Sequence, residues 1–258
     1  MKKRVGWIDI ARAIAMICVI IGHSLFQYTG EPIGRYIYAF HMPIFFLLSG
    51  YLYHERDYVS ELKNTLNGFM LPYYATGLLM LGLFPLTLRG LPFMQSMYSS
   101  YQVLLSSIFY GTGTNPNIPF SASIGSVGAI WFLPALGIAT MIFNYIIRST
   151  KELKQKNVVR LSAVVFLAII GKSIASFWLL PLSLNAATFS LTFMYVGYLM
   201  KKTNFLSNLK IRDVMIGLIL WIITAQTQLF SMVSVGAQDT LMAIGGGIGG
   251  SIVVMYVS

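Results

Sequence analysis

Long apolar runs alternate along this chain with short polar links that are mostly basic. The runs cover 5–28, 36–53, 66–88, 128–147, 158–180, 184–200, 211–230 and 240–257. Each is close to the roughly 20 residues that cross a bilayer as helix. In hydrocarbon only a helix or a closed barrel satisfies its own backbone groups, so the pattern predicts about eight transmembrane helices. The stretch 91–110 is apolar but carries Gln95, Ser96, Ser99, Ser100 and Gln102. If it does not cross, the basic clusters at 2–4, 54–63, 148–160 and 201–212 all fall on one side, which the positive-inside rule makes the cytoplasm. The segment is therefore expected on the outer surface as a short interfacial helix, followed by the loop Gly111-Thr112-Gly113-Thr114-Asn115-Pro116-Asn117. Both termini are then cytoplasmic. The first run follows Met1-Lys2-Lys3-Arg4 but is too long for a signal core and lacks a small-residue cleavage site, so it is expected to be a retained helix.

Composition narrows the class. Of 258 residues, 56% are hydrophobic and 10% charged, against about 25% charged in soluble domains, so a water-covered globule is excluded. The net charge of +10 sits in short clusters between apolar runs rather than on one polar face, which argues against nucleic acid. Cys18 is the single cysteine, which excludes an internal disulfide and a cysteine cluster for zinc; no metal site is expected. The expected fold is an all-α polytopic membrane bundle, with one membrane-embedded domain over 1–258.

A titratable group inside a span is costly and is a functional candidate by default. The first run holds Asp9, Arg12 and His23. Arg12 to His23 is eleven residues, which at 100° each returns to within about 20° of the same direction, and Asp9 precedes Arg12 by three, so all three share a face. The rise separates Arg12 from His23 by roughly 16 Å, placing Arg12 near the cytoplasmic surface and His23 in the outer half. After a short loop the second run carries His41 at the same depth as His23. Asp9 and Arg12 can equally form an interfacial ion pair, and a membrane histidine can serve as a helix–helix hydrogen-bond partner.

Arg12, ten residues, then Gly22-His23-Ser24, followed by Phe40-His41-Met42-Pro43-Ile44-Phe45-Phe46 and Ser49-Gly50-Tyr51, resembles the opening of the membrane-bound acyltransferase-3 family, particularly its fucose-4-O-acetylase-like branch. Leu71-Pro72-Tyr73, Ala129-Ile130-Trp131-Phe132-Leu133 and Tyr195-Val196-Gly197-Tyr198-Leu199-Met200-Lys201-Lys202 are similar to later family landmarks in the same order. The resemblance implies transfer of an acyl group, usually acetyl, from cytoplasmic acyl-CoA to a hydroxyl of a sugar or cell-surface glycan. It also implies that Arg12 and His23 match the pair associated with activity, and that His41 occupies a position commonly His. Family members usually continue through further helices, so the resemblance implies a chain short at its C-terminus.

Acyl transfer from a thioester needs a base for the attacking hydroxyl and a donor for the developing oxyanion. An imidazole, titrating near neutral pH, suits the first task, and a covalent acyl-histidine relay is the other option. His23 and His41 are the expected catalytic residues. Arg12, with Asp9 beside it, is expected at the phosphates of acetyl-CoA, for which a guanidinium offers a bidentate fork. Trp131 and Asn185 are candidates to touch the acceptor. The expected location is a bacterial plasma membrane. The competing readings are a transporter or flippase of a glycan intermediate and an inactive short member of the family.

Overall fold

A computed structural model describes residues 6–87, 98–116 and 124–258. The structure is 78% helix and contains no strand among the described residues, so the chain is all-α. In chain order the helices are α1 (Gly6–Ser24), α2 (Pro32–Phe40), α3 (Pro43–Tyr51), α4 (Tyr58–Thr65), α5 (Leu71–Thr87), α6 (Tyr101–Tyr110), α7 (Phe132–Ser149), α8 (Lys156–Ala175), α9 (Leu184–Lys202), α10 (Ile211–Thr227) and α11 (Thr240–Tyr256). Among the described residues, four helical stretches are long and apolar enough to cross a membrane: Gly6–Ser24, Tyr58–Pro85, Gly128–Ser149 and Lys156–Ala175. Thr240–Tyr256 is apolar but shorter.

Two expected spans take a different form. The run 36–53 is not one helix but the nine-residue helices α2 and α3. Pro43 has no N–H to return to the carbonyl of Ala39, so the ladder breaks there. His41 (φ −60°, ψ −34°) and Met42 (φ −85°, ψ −46°) nevertheless keep helical dihedrals, which makes this a proline kink rather than a turn. The run 66–88 starts earlier than its hydropathy suggests. Helix begins at Tyr58 and passes through a π-helical turn at Leu66–Met70 into α5, so Glu61 and Lys63 belong to helix and not to a loop. Asp57 caps it, accepting the Ser60 N–H at 2.9 Å. Within the ambiguous stretch 91–110, residues 88–97 lie outside the described residues and α6 is a short helix. Ser100 caps it, and Gly111, at φ +72°, ends it in the left-handed region where glycine carries no steric cost. The loop residue Asn117 and the basic cluster at 2–4 also lie outside the described residues.

The chain forms two compact units, one of residues 1–54 and 190–258 and the other of 55–189. In the first, small residues set the helix spacing. A Cβ on Gly197 would run into the Leu47 carbonyl, and one on Gly50 into the Met194 carbonyl, so α3 and α9 touch backbone to backbone. Gly217 and Gly249 do the same for α10 and α11, and the Thr224 hydroxyl donates to the Met242 carbonyl at 2.8 Å across that pair. The glycine run 245–250 is thus a helix interface. Lipid offers no hydrophobic gain for bringing helices together, so close backbone approach and hydrogen bonds hold them.

In the second unit, the Tyr73 hydroxyl donates to the Ile108 carbonyl at 2.6 Å and joins α5 to α6. Phe84, Tyr98, Leu104 and Ile108 form the apolar cluster there. Arg160 is buried and closes the α7–α8 turn by donating to the Thr150 hydroxyl and the Ile147 carbonyl, each at 2.8 Å. At the same end, the Asn144 side chain brackets the backbone of Arg56, accepting its N–H at 3.2 Å and donating to its carbonyl at 3.0 Å.

Gly197→Ala should therefore lower thermal stability in detergent by about 2 kcal/mol or more, the cost of an overpacked core. Gly82→Ala, where a Cβ meets nothing within 4 Å, should leave the melting temperature unchanged or raise it. Equal melting temperatures for the two variants would show that α3 and α9 are not in backbone contact.

Candidate active site

The candidate residues of α1 lie beside its packed seam. Ile8, Ala11, Ala15 and Gly22 are the buried positions of α1, recurring at the three- and four-residue spacing that makes one stripe. On the helical wheel Asp9, Arg12 and His23 fall within about 60° of one another, roughly 90° round from that stripe. All three are exposed. The ion pairs among the described residues are Arg56–Glu61, Lys151–Glu55 and Arg212–Asp213, so Asp9 and Arg12, although one turn apart, are not bonded to each other.

At the far end of α1 the helix meets α2 closely. A Cβ on Gly22 would stand 3.2 Å from both Ile37 and Tyr38, so any larger residue would push the two helices apart. The link between them is folded tightly: residues Phe26–Gly30 form a 3-10 turn, and the Arg35 guanidinium donates to the Gly30 carbonyl at 2.6 Å. This approach sets His23 beside Tyr38, ring centroids 6.5 Å apart, and Tyr38 edge-on to His41 at 4.8 Å. The two histidines both lie against one tyrosine ring.

His41 is only 3% exposed. Its Nδ1 lies 2.9 Å from the Ile37 carbonyl, which also accepts the His41 backbone N–H at 3.0 Å. A carbonyl can only accept, so Nδ1 carries the proton and Nε2 is left with the lone pair of a base. Tyr38 was not among the residues singled out by sequence. The signal for it is its spacing, three positions before His41 on one helix face.

Trp131 and Asn185 belong to the other unit. Trp131 ends the 3-10 turn Gly128–Trp131 and is 4% exposed. Asn185, 1% exposed, takes the Leu180 N–H on its side-chain oxygen at 2.6 Å and donates to the carbonyls of Gly171 and Trp178 at 3.1 and 3.4 Å. Its amide therefore ties the α8–α9 link together. His54 is an exposed loop residue with Nδ1 3.3 Å from the Leu52 carbonyl. Outside the membrane-length helices, the Ser60 side-chain and backbone bonds hold the Asp57 carboxyl below its usual range, and burial pushes the Tyr98 phenol up to about 12.

The sequence profile of the acyltransferase-3 family, described as an acyltransferase domain, matches residues 5–258. No curated protein and no solved structure matches the chain.

The bonds of Asn185 generate a prediction. Asn185→Ala strands a buried N–H and two carbonyls, a loss of about 1–3 kcal/mol. It should lower the melting temperature while leaving the Michaelis constant for any acceptor unchanged in the folded fraction. A raised acceptor constant at unchanged melting temperature would instead make Asn185 a substrate contact.

Proposed function

The chain belongs to the acyltransferase-3 family, and from that premise we propose that it moves an acetyl group from acyl-CoA to a hydroxyl of a sugar or cell-surface glycan. The observation that carries the reading is the His23–Tyr38–His41 group. Two imidazoles share one aromatic wall, and a backbone bond fixes one of them in the basic tautomer. In the reaction one imidazole takes the proton of the acceptor hydroxyl as its oxygen adds to the thioester carbonyl. The tetrahedral intermediate then collapses, the C–S bond breaks, and the departing sulfur takes the proton back from the imidazolium. His23, on the open flank of α1, is the base that meets substrate, and buried His41 supports it through Tyr38.

Arg12 is the donor's phosphate grip and Asp9 neighbours it. The rise between Arg12 and His23, roughly 16 Å, is of the order of a pantetheine arm, so one helix would hold both ends of the reacting donor. Trp131 and Asn185, whose surroundings are the core and backbone of the other unit, have no role in this reading. The proposed topology has eight membrane segments, the kinked pair α2–α3 counting as one, with both termini in the cytoplasm of a bacterial cell. Its support is the single side on which the basic links then fall.

His23→Ala should cut transfer by about 10²–10⁴-fold, the usual contribution of general-base catalysis, while insertion is unaffected. Near-normal acetylation by that variant would remove His23 from the chemistry. Arg12→Lys keeps the charge but loses the fork, so it should raise the donor constant and recover partly at high acyl-CoA, which His23→Ala should not. Donor binding that is normal in Arg12→Lys with only turnover lost would move Arg12 to the reacting centre. In a Cys18→Ala background, single cysteines at Gln27 and Lys154 should label from opposite sides of the membrane; labelling from the same side would sink the eight-segment topology.

A further inference from the structure

The link between α8 and α9 presents two adjacent aromatic rings, Phe177 at 80% and Trp178 at 44% exposure. They stand at the end of α8, a helix of 20 residues whose rise of roughly 30 Å matches the hydrocarbon thickness of a bilayer. The opposite end of α8 is the basic link with Lys151, Lys154 and Lys156, all exposed. The Ile174 carbonyl accepts the N–H of Phe177 at 3.0 Å and that of Trp178 at 2.8 Å, so the helical path runs on to both rings. Val159, Phe166, Ile169 and Ser173 are exposed along one side of α8. Phe177, eleven residues after Phe166, falls within about 20° of it on the helical wheel. The rings thus continue the exposed side of a helix long and apolar enough to cross a membrane. Their polar neighbours are already engaged. The Trp178 indole N–H donates to the Tyr110 hydroxyl at 2.7 Å, and that hydroxyl donates to the Leu179 carbonyl at 2.6 Å. The Asn185 amide donates to the Trp178 carbonyl at 3.4 Å. What the two side chains keep for a partner is apolar ring surface.

We propose that Phe177 and Trp178 form an interfacial anchor whose partner is the glycerol and upper acyl-chain region of a phospholipid bilayer. Tryptophan is ordinarily held at headgroup level, where its ring meets lipid and its N–H meets a wet acceptor. Here Tyr110 takes that N–H, so the indole can sit below the headgroups beside the wholly apolar ring of Phe177. A sugar is the other partner that stacks on an exposed indole, but its hydroxyls need polar groups placed around the ring. The Trp178 N–H, the Tyr110 hydroxyl and the Asn185 amide are bonded within the protein instead. The anchor fixes the depth of the α8–α9 link, which the Asn185 side chain makes rigid. It depends on α8 crossing the bilayer and is independent of the proposed reaction.

The test places the whole chain in phosphatidylcholine bilayers whose acyl chains carry bromine either high, beside the glycerol, or near the chain ends. Trp178→Phe keeps an aromatic ring and removes one indole, so the emission that disappears in this variant is the signal of Trp178. That signal should lose more intensity to the high bromines than to the deep ones, and almost none to aqueous iodide. A second measurement does not need that variant. Phe177→Cys in a Cys18→Ala background, labelled with a nitrobenzoxadiazole, should show the same order with nitroxide lipids of the two depths. Quenching by iodide with none by lipid would turn the rings toward water and a soluble partner such as a sugar, and overturns the anchor. Stronger quenching from the deep positions would put this end of α8 in mid-membrane, which overturns it too. Protection from iodide and lipid alike would mean that protein covers the rings, and the assignment falls.

Discussion

The carbonyl oxygen of Ile37 receives two hydrogens from one residue, the backbone N–H and the ring Nδ1–H of His41. Much of the candidate site depends on that pair. Two residues further on, Pro43 cannot donate, so the helix kinks just beyond the point where the His41 ring folds back to the Ile37 carbonyl. The backbone bond holds the last turn of α2 and the ring bond sets the tautomer. A ring so fixed lies edge-on to Tyr38, and His23 lies against the same tyrosine ring. The proline that interrupts the span therefore lies two residues from the candidate His41, and local irregularities of this kind are expected at functional or strained sites.

Close approach at glycine is the second constraint. In a hydrocarbon surround, large apolar side chains gain little by facing inward, and the structure leaves Ile17, Ile20, Leu78, Phe166 and Leu241 exposed. Buried positions of α1 and α11 are instead rich in alanine and glycine, because backbone contact supplies the dispersion energy that apolar transfer does not. Gly22 applies the same device at the candidate site. It brings α1 and α2 together at the level where the two histidines share Tyr38.

The helices were largely legible in the sequence, since runs of apolar residues in lipid leave the backbone one open-ended solution. Their internal breaks were less so. The run 36–53 reads as one span because hydropathy averages over Pro43, and the helix that starts at Tyr58 is hidden because Glu61 and Lys63 make its first turns look like loop. The grouping of Asp9, Arg12 and His23 on one flank followed from helix geometry alone, whereas the equal depth expected of His23 and His41 gave no sign of the Tyr38 ring that lies against each of them. What sequence could not supply was the partner of each polar atom. Asn185 near a helix end reads as a ligand contact until its three backbone bonds are seen, and Trp131 as an interfacial platform until its burial is. Tyr38 escaped notice for the opposite reason: fifteen tyrosines in the chain make any one of them unremarked until two imidazoles are found against it.

The placement of charge on α1 follows from the same economy. A cation facing lipid at mid-membrane is costly, and one driven into a seam of alanine and glycine would force the helices apart and lose its water with no partner. On the flank beside the seam the backbone can still pack through Ile8, Ala11, Ala15 and Gly22, while Asp9, Arg12 and His23 stand exposed roughly a quarter turn away. A helix patterned this way has one face for the fold and an adjoining face that carries its titratable groups. That Asp9 and Arg12 are not bonded to each other fits that division, because a guanidinium committed to a neighbouring carboxylate is not open to a second partner. Stability and function thus make separate demands on neighbouring strips of one helix, and a substitution on either strip can be assigned by whether it moves the melting temperature or the kinetics.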